Sequence, residues 1–240
     1  GLNAATRLST GTFIVRMDAH SRYPSDYAAT LTEALDRLHA DNVGGVWETL
    51  PANDSNKAWA IAQVLSSPLG VGNAMFRLGV EGDREVDTVP YGCFRRELFD
   101  HIGFFDEELV RNQDDEHNGR IIKAGGRIML LPQVRIQYYG RDRIGKLWRM
   151  YREYGLFKPL VNIKLGAPAT ARQFAPPLFV LALFGLPLLA LAVPFLGICW
   201  SAMVAVYLLV VIAVWVRIAT SVAARISAFP WLLVGFLTVH

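Results

Sequence analysis

The strongest constraint on this chain is a run of 44 residues, 173–216, that contains no Asp, Glu, Lys or Arg. As a single helix this run would extend about 66 Å, roughly twice the ~30 Å hydrocarbon core of a bilayer. We therefore predict two membrane-spanning helices that form a hairpin over 174–216 and turn at Pro194 and Gly197. The alternative is a helical hairpin buried in the core of a water-soluble protein.

Charge is divided sharply along the chain. Residues 1–134 carry a net charge of −6, residues 135–172 carry +7, and residues 173–240 contain only two arginines. Lys and Arg collect on the cytoplasmic side of membrane helices. Both ends of the hairpin and the acidic domain before it are thus predicted to be cytoplasmic, in a multi-pass protein of the inner cell membrane. Basic residues beside an apolar tail favour membrane lipid as a partner and disfavour nucleic acid.

Three regions follow from this division. Residues 1–140 are predicted to form a globular domain. Residues 141–172 are predicted to be a basic amphipathic segment at the membrane surface, because aromatic residues and cations are interleaved over 141–157. A nucleic-acid-binding stripe is the alternative for this segment, and the adjoining apolar run favours the membrane. Residues 173–240 are predicted to be transmembrane helices, the last of which, 226–240, is an incomplete third segment.

Short β-branched runs alternate with amphipathic helices in the globular part, which is typical of an α/β fold. The predicted strands are Thr12–Met17, Val43–Thr49, Val86–Tyr91 and Arg127–Leu131, the last closed by Pro132. The predicted helices are one that starts at Pro24 and Ser25, followed by Ser55–Ser67, Arg96–Ile102 and Asp114–Ala124. The sequence therefore predicts a sheet with helices layered against it.

An acidic residue stands directly after the first predicted strand. Asp18 and His20 lie one residue apart at the end of the run TFIVRM, and ligands bind near the carboxyl ends of strands in α/β sheets. A carboxylate and an imidazole at this spacing suit a divalent cation that carries a diphosphate on its far side. The alternative is an aspartate that only caps the turn.

A second polar cluster opens the last predicted helix of the globular part. Its members are Gln113, Asp114, Asp115 and Glu116. Acids at a helix start are stabilised by the helix dipole, which is the structural alternative to a site. Arg120 follows one and a half turns after Asp114, and Gly92 and the turn at 103–106 lie upstream. These glycine-containing passages let the backbone turn tightly, as the wall of a pocket requires.

Together these motifs resemble family 2 glycosyltransferases of the GT-A fold, which is Rossmann-like, and within them the bacterial succinoglycan-type glucosyltransferases of exopolysaccharide synthesis. The segments that carry the resemblance are GLN at 1–3, TGTFIVRMDAH at 10–20, VDTVPYGCFRRELFDHIGFFDEEL at 86–109 and RNQDDEHNGRI at 111–121. The chemistry agrees with it. Transfer from a nucleotide sugar needs one base for the acceptor hydroxyl and positive charge at the leaving diphosphate, whereas a glycosidase needs a pair of carboxyl groups.

The resemblance implies how the donor is held. Asp18 and His20 would bind Mg²⁺ or Mn²⁺ and, through the metal, the diphosphate of a UDP-sugar, with UDP-glucose as the expected donor. The sequence has His20 where the family has a second Asp. Arg120 would face the same diphosphate.

The resemblance also implies how the acceptor is activated. Asp114 would be the catalytic base of an inverting transfer, with Gln113 in place of the family's Glu. Gln113 and Asp115 would line the substrate site, and Gly92 would lie in the loop beneath the acceptor. The acceptor implied for such membrane-attached members is a polyprenyl-diphosphate-linked saccharide.

Two departures from the family pattern shape the expected activity. The family's opening strand, which holds the uracil, does not precede Gly1, so we expect a GT-A domain truncated at its N-terminus that binds donor poorly by itself. No Gln-x-x-Arg-Trp motif follows the base, and the nearest run is QYYGR at 137–141. Addition of a single sugar is therefore expected. The alternatives are a processive polysaccharide synthase and a catalytically inactive membrane scaffold of the same fold.

The hairpin makes a testable prediction about topology. In a variant without Cys93 and Cys199, single cysteines placed at positions 172 and 217 should both react with a membrane-impermeant maleimide only from the cytoplasmic side, because both flanks are basic. Labelling in sealed vesicles of each orientation measures this. Reaction of the two positions from opposite sides would contradict the hairpin.

Overall fold

The computed structural model describes residues 1–168, 171–219 and 223–240. These residues form two compact units. The first comprises Gly1–Leu50, Asn73–Tyr139 and Arg149–Ala169, and the second comprises Pro51–Gly72, Gly140–Trp148 and Thr170–His240.

A six-stranded mixed sheet lies in the first unit and confirms the predicted α/β class. Its strands are β1 (Phe13–Val15), β2 (Ser21–Arg22), β3 (Asn42–Leu50), β4 (Arg84–Glu85), β5 (Cys93–Arg95) and β6 (Ile128–Tyr139). The order is β1-β5-β3-β6-β2, with β4 also paired to β6. β3 and β6 run parallel, and the other pairs are antiparallel.

Eleven α-helices are described. They are α1 (Leu2–Leu8), α2 (Tyr27–Arg37), α3 (Asn56–Leu65), α4 (Pro68–Val71), α5 (Met75–Leu78), α6 (Leu98–Ile102), α7 (Gln113–Lys123), α8 (Ile144–Leu165), α9 (Ala175–Ala190), α10 (Phe195–Ala219) and α11 (Phe229–Val239). Short 3₁₀ turns cover Ala171–Phe174 and Ala223–Ala228. The Ser55 side chain caps α3 by accepting a hydrogen bond from the Ala58 amide at 3.1 Å.

The sheet is covered by two apolar clusters. One contains α2, whose Leu31 and Leu35 are fully buried together with β3 and β6 residues such as Val43 and Leu131. The other joins α6 and α7 to residues of β3, β5 and β6 and is rich in phenylalanine. Helices with apolar residues at helical spacing thus pack on the apolar strands. The helices and the sheet form layers, as predicted.

Two predicted strands are wrong in extent. Residues 86–91 form a loop between β4 and β5 in which Tyr91 has a left-handed φ of 52°, so the backbone cannot continue as a regular strand there. β6 does not stop at Pro132 but continues to Tyr139. The register against β3 shifts between Gly45 and Val46, and the proline, which has no N–H to donate, falls in this bulge.

The second unit contains the apolar helices. Of the helices that the structure describes, α10 is the one long and apolar enough to cross a membrane, with 25 residues and a mean hydropathy of 2.5. α9 has 16 residues and would extend about 24 Å, less than the ~30 Å hydrocarbon core. The two helices pack together, and the Trp200 indole N–H donates to the Leu183 carbonyl at 3.0 Å. Two membrane spans remain a prediction.

The turn and the flanking helix differ in detail from the sequence prediction. The chain turns over residues 191–194, so Pro194 lies in the turn, whereas Gly197 lies inside α10. Gly197 was therefore wrong as a turn residue, because the helix begins directly after Pro194 and Gly197 lies within its first turn. The predicted surface helix at 141–157 is observed as α8, which extends to Leu165 and contains Pro159.

Gly45 provides a test of the bulge. A Cβ atom at Gly45 would lie 2.4 Å from the Val134 carbonyl oxygen, whereas one at Gly82 would meet nothing within 4 Å. We expect Gly45→Ala to cost about 1–3 kcal/mol of stability through overpacking, and Gly82→Ala to be neutral or slightly stabilising. Thermal unfolding of the detergent-solubilised variants measures both. Equal melting temperatures would contradict the close approach of β3 and β6 at the bulge.

Candidate active site

Asp18 follows β1 at the position predicted for a ligand-binding carboxylate. The Arg16 amide donates to the Gly92 carbonyl at 2.9 Å, which keeps the chain beside β5 beyond the end of the strand. The Asp18 backbone is then held by the Tyr23 hydroxyl, which accepts from the Asp18 amide at 2.7 Å and donates to its carbonyl at 3.2 Å. The Asp18 carboxylate is partly exposed and lies 3.4 Å from Arg16 Nε. It is therefore fixed in place and still open to a ligand.

His20 is exposed and lies against a group of three aromatic rings that we call the aromatic wall: Trp47, Tyr91 and Tyr138. The imidazole meets Tyr91 and Tyr138 edge to face, with centroids 6.5 and 6.0 Å apart. Trp47 stacks on the same two tyrosines at 5.3 and 4.2 Å. The wall limits the directions in which the imidazole can turn.

Asp114 lies in the first turn of α7, which begins after Asn112 in the left-handed conformation with a φ of 60°. Burial raises the pKa of Asp114 above its ordinary value, and the neighbouring Asp115 carboxylate raises it further. The Arg16 guanidinium acts in the opposite direction and lowers this pKa. Arg16 therefore interacts with both predicted acids, Asp18 and Asp114. The guanidinium pairs with Asp18 and acts on Asp114 through its charge.

Helix α8 ties down the start of α7. Lys158 Nζ donates to Asp115 Oδ2 at 2.8 Å, and Arg111 Nε donates to Glu153 Oε2 at 2.7 Å. Tyr154, on the same helix, is half-buried, and its carbonyl accepts a hydrogen bond from the Asn112 side chain at 3.3 Å. Burial is the main cause that raises the pKa of its phenol, and the Asp114 charge contributes. Asp115 thus has a cationic partner of its own, whereas Asp114 keeps only the more distant Arg16.

Arg120 is committed to other contacts than the predicted one. Its guanidinium forms a bidentate pair with Glu116, at 2.8 Å to Oε1 and 2.9 Å to Oε2. It also donates to the carbonyl of Phe104 at 2.7 Å and to the carbonyl of Ile102. Four hydrogen bonds hold the arginine in the turn before α7. This geometry favours a positioning role for Arg120 and does not bring it to the two acids; its contact with a diphosphate stays a prediction.

Gly92 is explained by packing. A Cβ atom there would lie 2.1 Å from Asn42 Oδ1, so no side chain fits. The Asn42 amide in turn donates to Asn118 Oδ1 at 2.7 Å, and Asn118 donates to Thr88 Oγ1 at 2.8 Å. This buried chain of amides fixes the loop at 86–92 against α7. Gln113 is the first residue of α7, and its predicted contact with substrate stays a prediction.

His117 was missed by sequence reasoning. It lies one turn after Asp114, fully buried among Phe94, Phe99 and Phe105, and its Nε2 lies 3.1 Å from the Gly103 carbonyl oxygen. Burial and the nearby Arg120 charge lower the pKa of His117 to about 4. The imidazole is therefore neutral and donates to Gly103. The position of His117 three residues after Asp114 did not predict its burial, because the residues that surround it come from distant segments of the chain.

The residues present fit a divalent cation only together with a substrate. Among the described residues there is no group of three or more His, Cys, Asp or Glu side chains that could hold a metal. Asp18 and His20 offer one carboxylate and one imidazole, and Mg²⁺ or Mn²⁺ sites on nucleotides are completed by phosphate oxygens. The open Asp18 carboxylate is therefore compatible with a metal that arrives with a nucleotide diphosphate.

Comparison with curated proteins identifies the family. The chain is 32% identical over 174 residues to the succinoglycan biosynthesis protein ExoA of Rhizobium meliloti (strain 1021), covering 72% of this chain and 52% of ExoA. The chain belongs to the family 2 glycosyltransferases. This glycosyltransferase is also 27% identical over 166 residues to the dolichyl N-acetyl-alpha-D-glucosaminyl phosphate 3-beta-D-2,3-diacetamido-2,3-dideoxy-beta-D-glucuronosyltransferase of Methanococcus voltae, covering 66% of this chain and 50% of the relative.

The extent of these similarities is limited. The glycosyltransferase chain spans about half the length of the curated relatives it matches. No family model matches it. Among solved structures, the mannosyltransferase PcManGT from Pyrobaculum calidifontis, in complex with GDP-Man and Mn²⁺, aligns with a TM-score of 0.46 at 18% identity, over 99% of this chain and 65% of that one. S. aureus TarS 1–349 in complex with UDP-GlcNAc aligns with a TM-score of 0.43 at 16% identity, over 68% and 45%.

The charges around Asp114 make a prediction about its titration. Asp115→Asn removes a like charge and should lower the pKa of Asp114, whereas Arg16→Gln removes an opposing charge and should raise it. Infrared difference spectra of the carboxylate band, taken against Asp114→Asn, measure the midpoint in each variant. Arg37→Gln, a change in an exposed pair with Asp83, is the matched control and should leave the midpoint unchanged. Shifts of the same sign in both test variants would contradict the assigned charge network.

Proposed function

We propose that the protein to which this chain belongs is an inverting glycosyltransferase that moves a sugar from a UDP-sugar, with glucose as the expected sugar, to a lipid-linked saccharide in exopolysaccharide or cell-surface glycan synthesis. The proposal is carried by two acids in different surroundings, of which Arg16 contacts Asp18 and lowers the pKa of Asp114. Asp18 is open to a ligand, and Asp114 has a raised pKa. Two acids in such different surroundings suit two different tasks.

In the proposed reaction Asp114 accepts the proton of the acceptor hydroxyl as its oxygen bonds to the anomeric carbon. The bond from that carbon to the donor's diphosphate breaks on the opposite face, so the configuration inverts. A raised pKa makes the ionised form of Asp114 a stronger base than an ordinary aspartate. Burial therefore supports the role of Asp114 as the base. The Arg16 charge opposes the effect of burial and favours the ionised form of Asp114.

Asp18 and His20 would hold the Mg²⁺ or Mn²⁺ ion that enters with the donor. The ion would neutralise charge on the leaving diphosphate. The contribution of this chain is to fix the Asp18 backbone through Tyr23 and to set His20 against the aromatic wall. Arg16 lies beside Asp18, and its positive charge reduces the repulsion between Asp18 and the other negative groups of the site.

Membrane attachment is proposed to supply the acceptor. α10 is apolar over 25 residues, and residues 135–172 carry a net charge of +7. An apolar helix next to a basic segment suits an anionic membrane surface. The acceptor would then be a polyprenyl-diphosphate-linked saccharide at the cytoplasmic face of the inner membrane, and its enzyme a multi-pass protein.

The decisive experiment separates Asp114 from its neighbour Asp115 in the full-length protein. Asp114→Asn should lower turnover by roughly 10²–10⁴ with little change in donor affinity, because a base acts on the acceptor and not on donor binding. Asp115→Asn should retain turnover, since Asp115 is paired with Lys158. Rates of sugar transfer in membranes and donor binding are measured separately.

The outcomes discriminate the alternatives. A dead Asp115→Asn with an active Asp114→Asn would mean that the base is one residue later. Unchanged transfer in both variants would withdraw the catalytic assignment and favour the inactive scaffold. Glu116→Gln is unsuitable as a control, because it breaks the buried bidentate pair with Arg120, which would cost about 3–5 kcal/mol.

A further inference from the structure

Arg77 is a buried cation outside the two acidic motifs. It belongs to α5 and is 9% exposed. Its guanidinium carbon lies 4.4 Å from the ring centroid of Trp47, 5.2 Å from Tyr138 and 5.5 Å from Phe76. Contacts with aromatic faces stabilise the cation in part, but rings accept few hydrogen bonds. A guanidinium has five N–H donors, so most of its hydrogen-bonding capacity must be met elsewhere.

Two donors at this place have no partner in the described part of the chain. Arg77 Nη1 and Trp47 Nε1 are both buried and make no hydrogen bond there. Within the same residues, no carboxylate lies within ion-pair distance of Arg77. Leaving a buried charge and a buried N–H unpaired costs free energy. An acceptor that carries negative charge would compensate the buried guanidinium.

Arg77 and Trp47 line an open cleft of about 380 Å³, which we call the Arg77 cleft. Its other polar lining residues include Arg135 and Glu81. Arg135 is exposed on β6, opposite Val46 of β3. Two arginines against one glutamate leave the lining positive. Guanidinium groups match the oxygens of a phosphate in a bidentate manner, and an indole N–H adds a directed donor. The chemistry therefore fits a phosphate group.

The Arg77 cleft adjoins the proposed active site. Tyr154 responds to both places, because the Asp114 charge raises the pKa of its phenol and the Arg77 charge lowers it. The ring of Tyr138, in the aromatic wall, is contacted by both the His20 imidazole and the Arg77 guanidinium. Neither Asp18 nor His20 is among the residues that line the cleft. It is thus a neighbouring subsite with its own charge.

We propose that the Arg77 cleft binds a phosphate group of the lipid-linked acceptor and so presents the acceptor hydroxyl to Asp114. The donor's diphosphate is already accounted for by Asp18, and the second phosphate-bearing substrate is the acceptor. This choice of ligand rests on the proposed function. The anion site itself rests on the unpartnered donors and on the positive lining.

Binding of inorganic pyrophosphate without metal tests the anion site. In EDTA, calorimetry on the whole detergent-solubilised protein should detect binding that is weakened tenfold or more by Arg77→Gln, because a charge-assisted contact is lost. Arg135→Gln should weaken it by about threefold, and since Arg135 is exposed, this variant should fold normally. Asp18→Ala and the control Arg37→Gln should bind as the unaltered protein does. Absence of binding, or equal affinity in Arg77→Gln and Arg135→Gln, would overturn the site.

A second arm tests the source of the phosphate. Polyprenyl diphosphate in detergent micelles should compete with pyrophosphate, and the corresponding polyprenol should not. Failure of polyprenyl diphosphate to compete would overturn the acceptor assignment and leave a site for a free anion. Neither arm requires turnover. If Asp114→Asn had no effect on sugar transfer, the proposed function would fail, and the binding measurements would still decide whether the anion site exists.

Discussion

The parallel pairing of β3 with β6 is the constraint on which the sheet and the site depend. It runs from Asn42 opposite Ile128 to Leu50 opposite Tyr139 and is interrupted once, between Gly45 and Val46. Before the bulge both strands are fully buried, and beyond it buried residues of β6 alternate with more exposed ones. The bulge re-aims the strand ends, so that Trp47 and Tyr138 stack and the aromatic wall forms. Both the imidazole of His20 and the cation of Arg77 rest on that wall.

Charge balance, rather than the number of acids, distinguishes the groups at the start of α7. Asp115 is matched by Lys158, and Glu116 by Arg120. Asp114 has no such close partner among the described ion pairs, and burial raises its pKa. Three consecutive acids thus have three environments, because successive helical side chains point about 100° apart. Asp114 is thus the one of the three acids without a close cation in the described part of the chain, and perturbed pKa values of this kind cluster at functional sites.

The local parts of this arrangement could be predicted from the sequence. A β-branched run ending at Asp18 gave β1, and an acid-rich helix start gave α7, because each depends on neighbours in sequence. The strand expected at 86–91 was wrong because Asn118, some thirty residues away, holds this loop through side-chain hydrogen bonds. Arg77 carried no signal, since a single arginine in a short helix is usually solvated. Its burial depends on Trp47 and Tyr138, which come from two different strands.

Helix α8 takes part in the electrostatics at the start of α7. Lys158 neutralises Asp115, and Asp115 is a charge that raises the pKa of Asp114. A cation held at Asp115 weakens that effect, and a cation withdrawn from it strengthens it. The pairing of Lys158 with Asp115 therefore opposes one of the charges that raise the pKa of Asp114. Since α8 also supplies Glu153 to Arg111, two ion pairs fix the position of Lys158. The helix that follows the sheet is in this way part of the electrostatics of the candidate site.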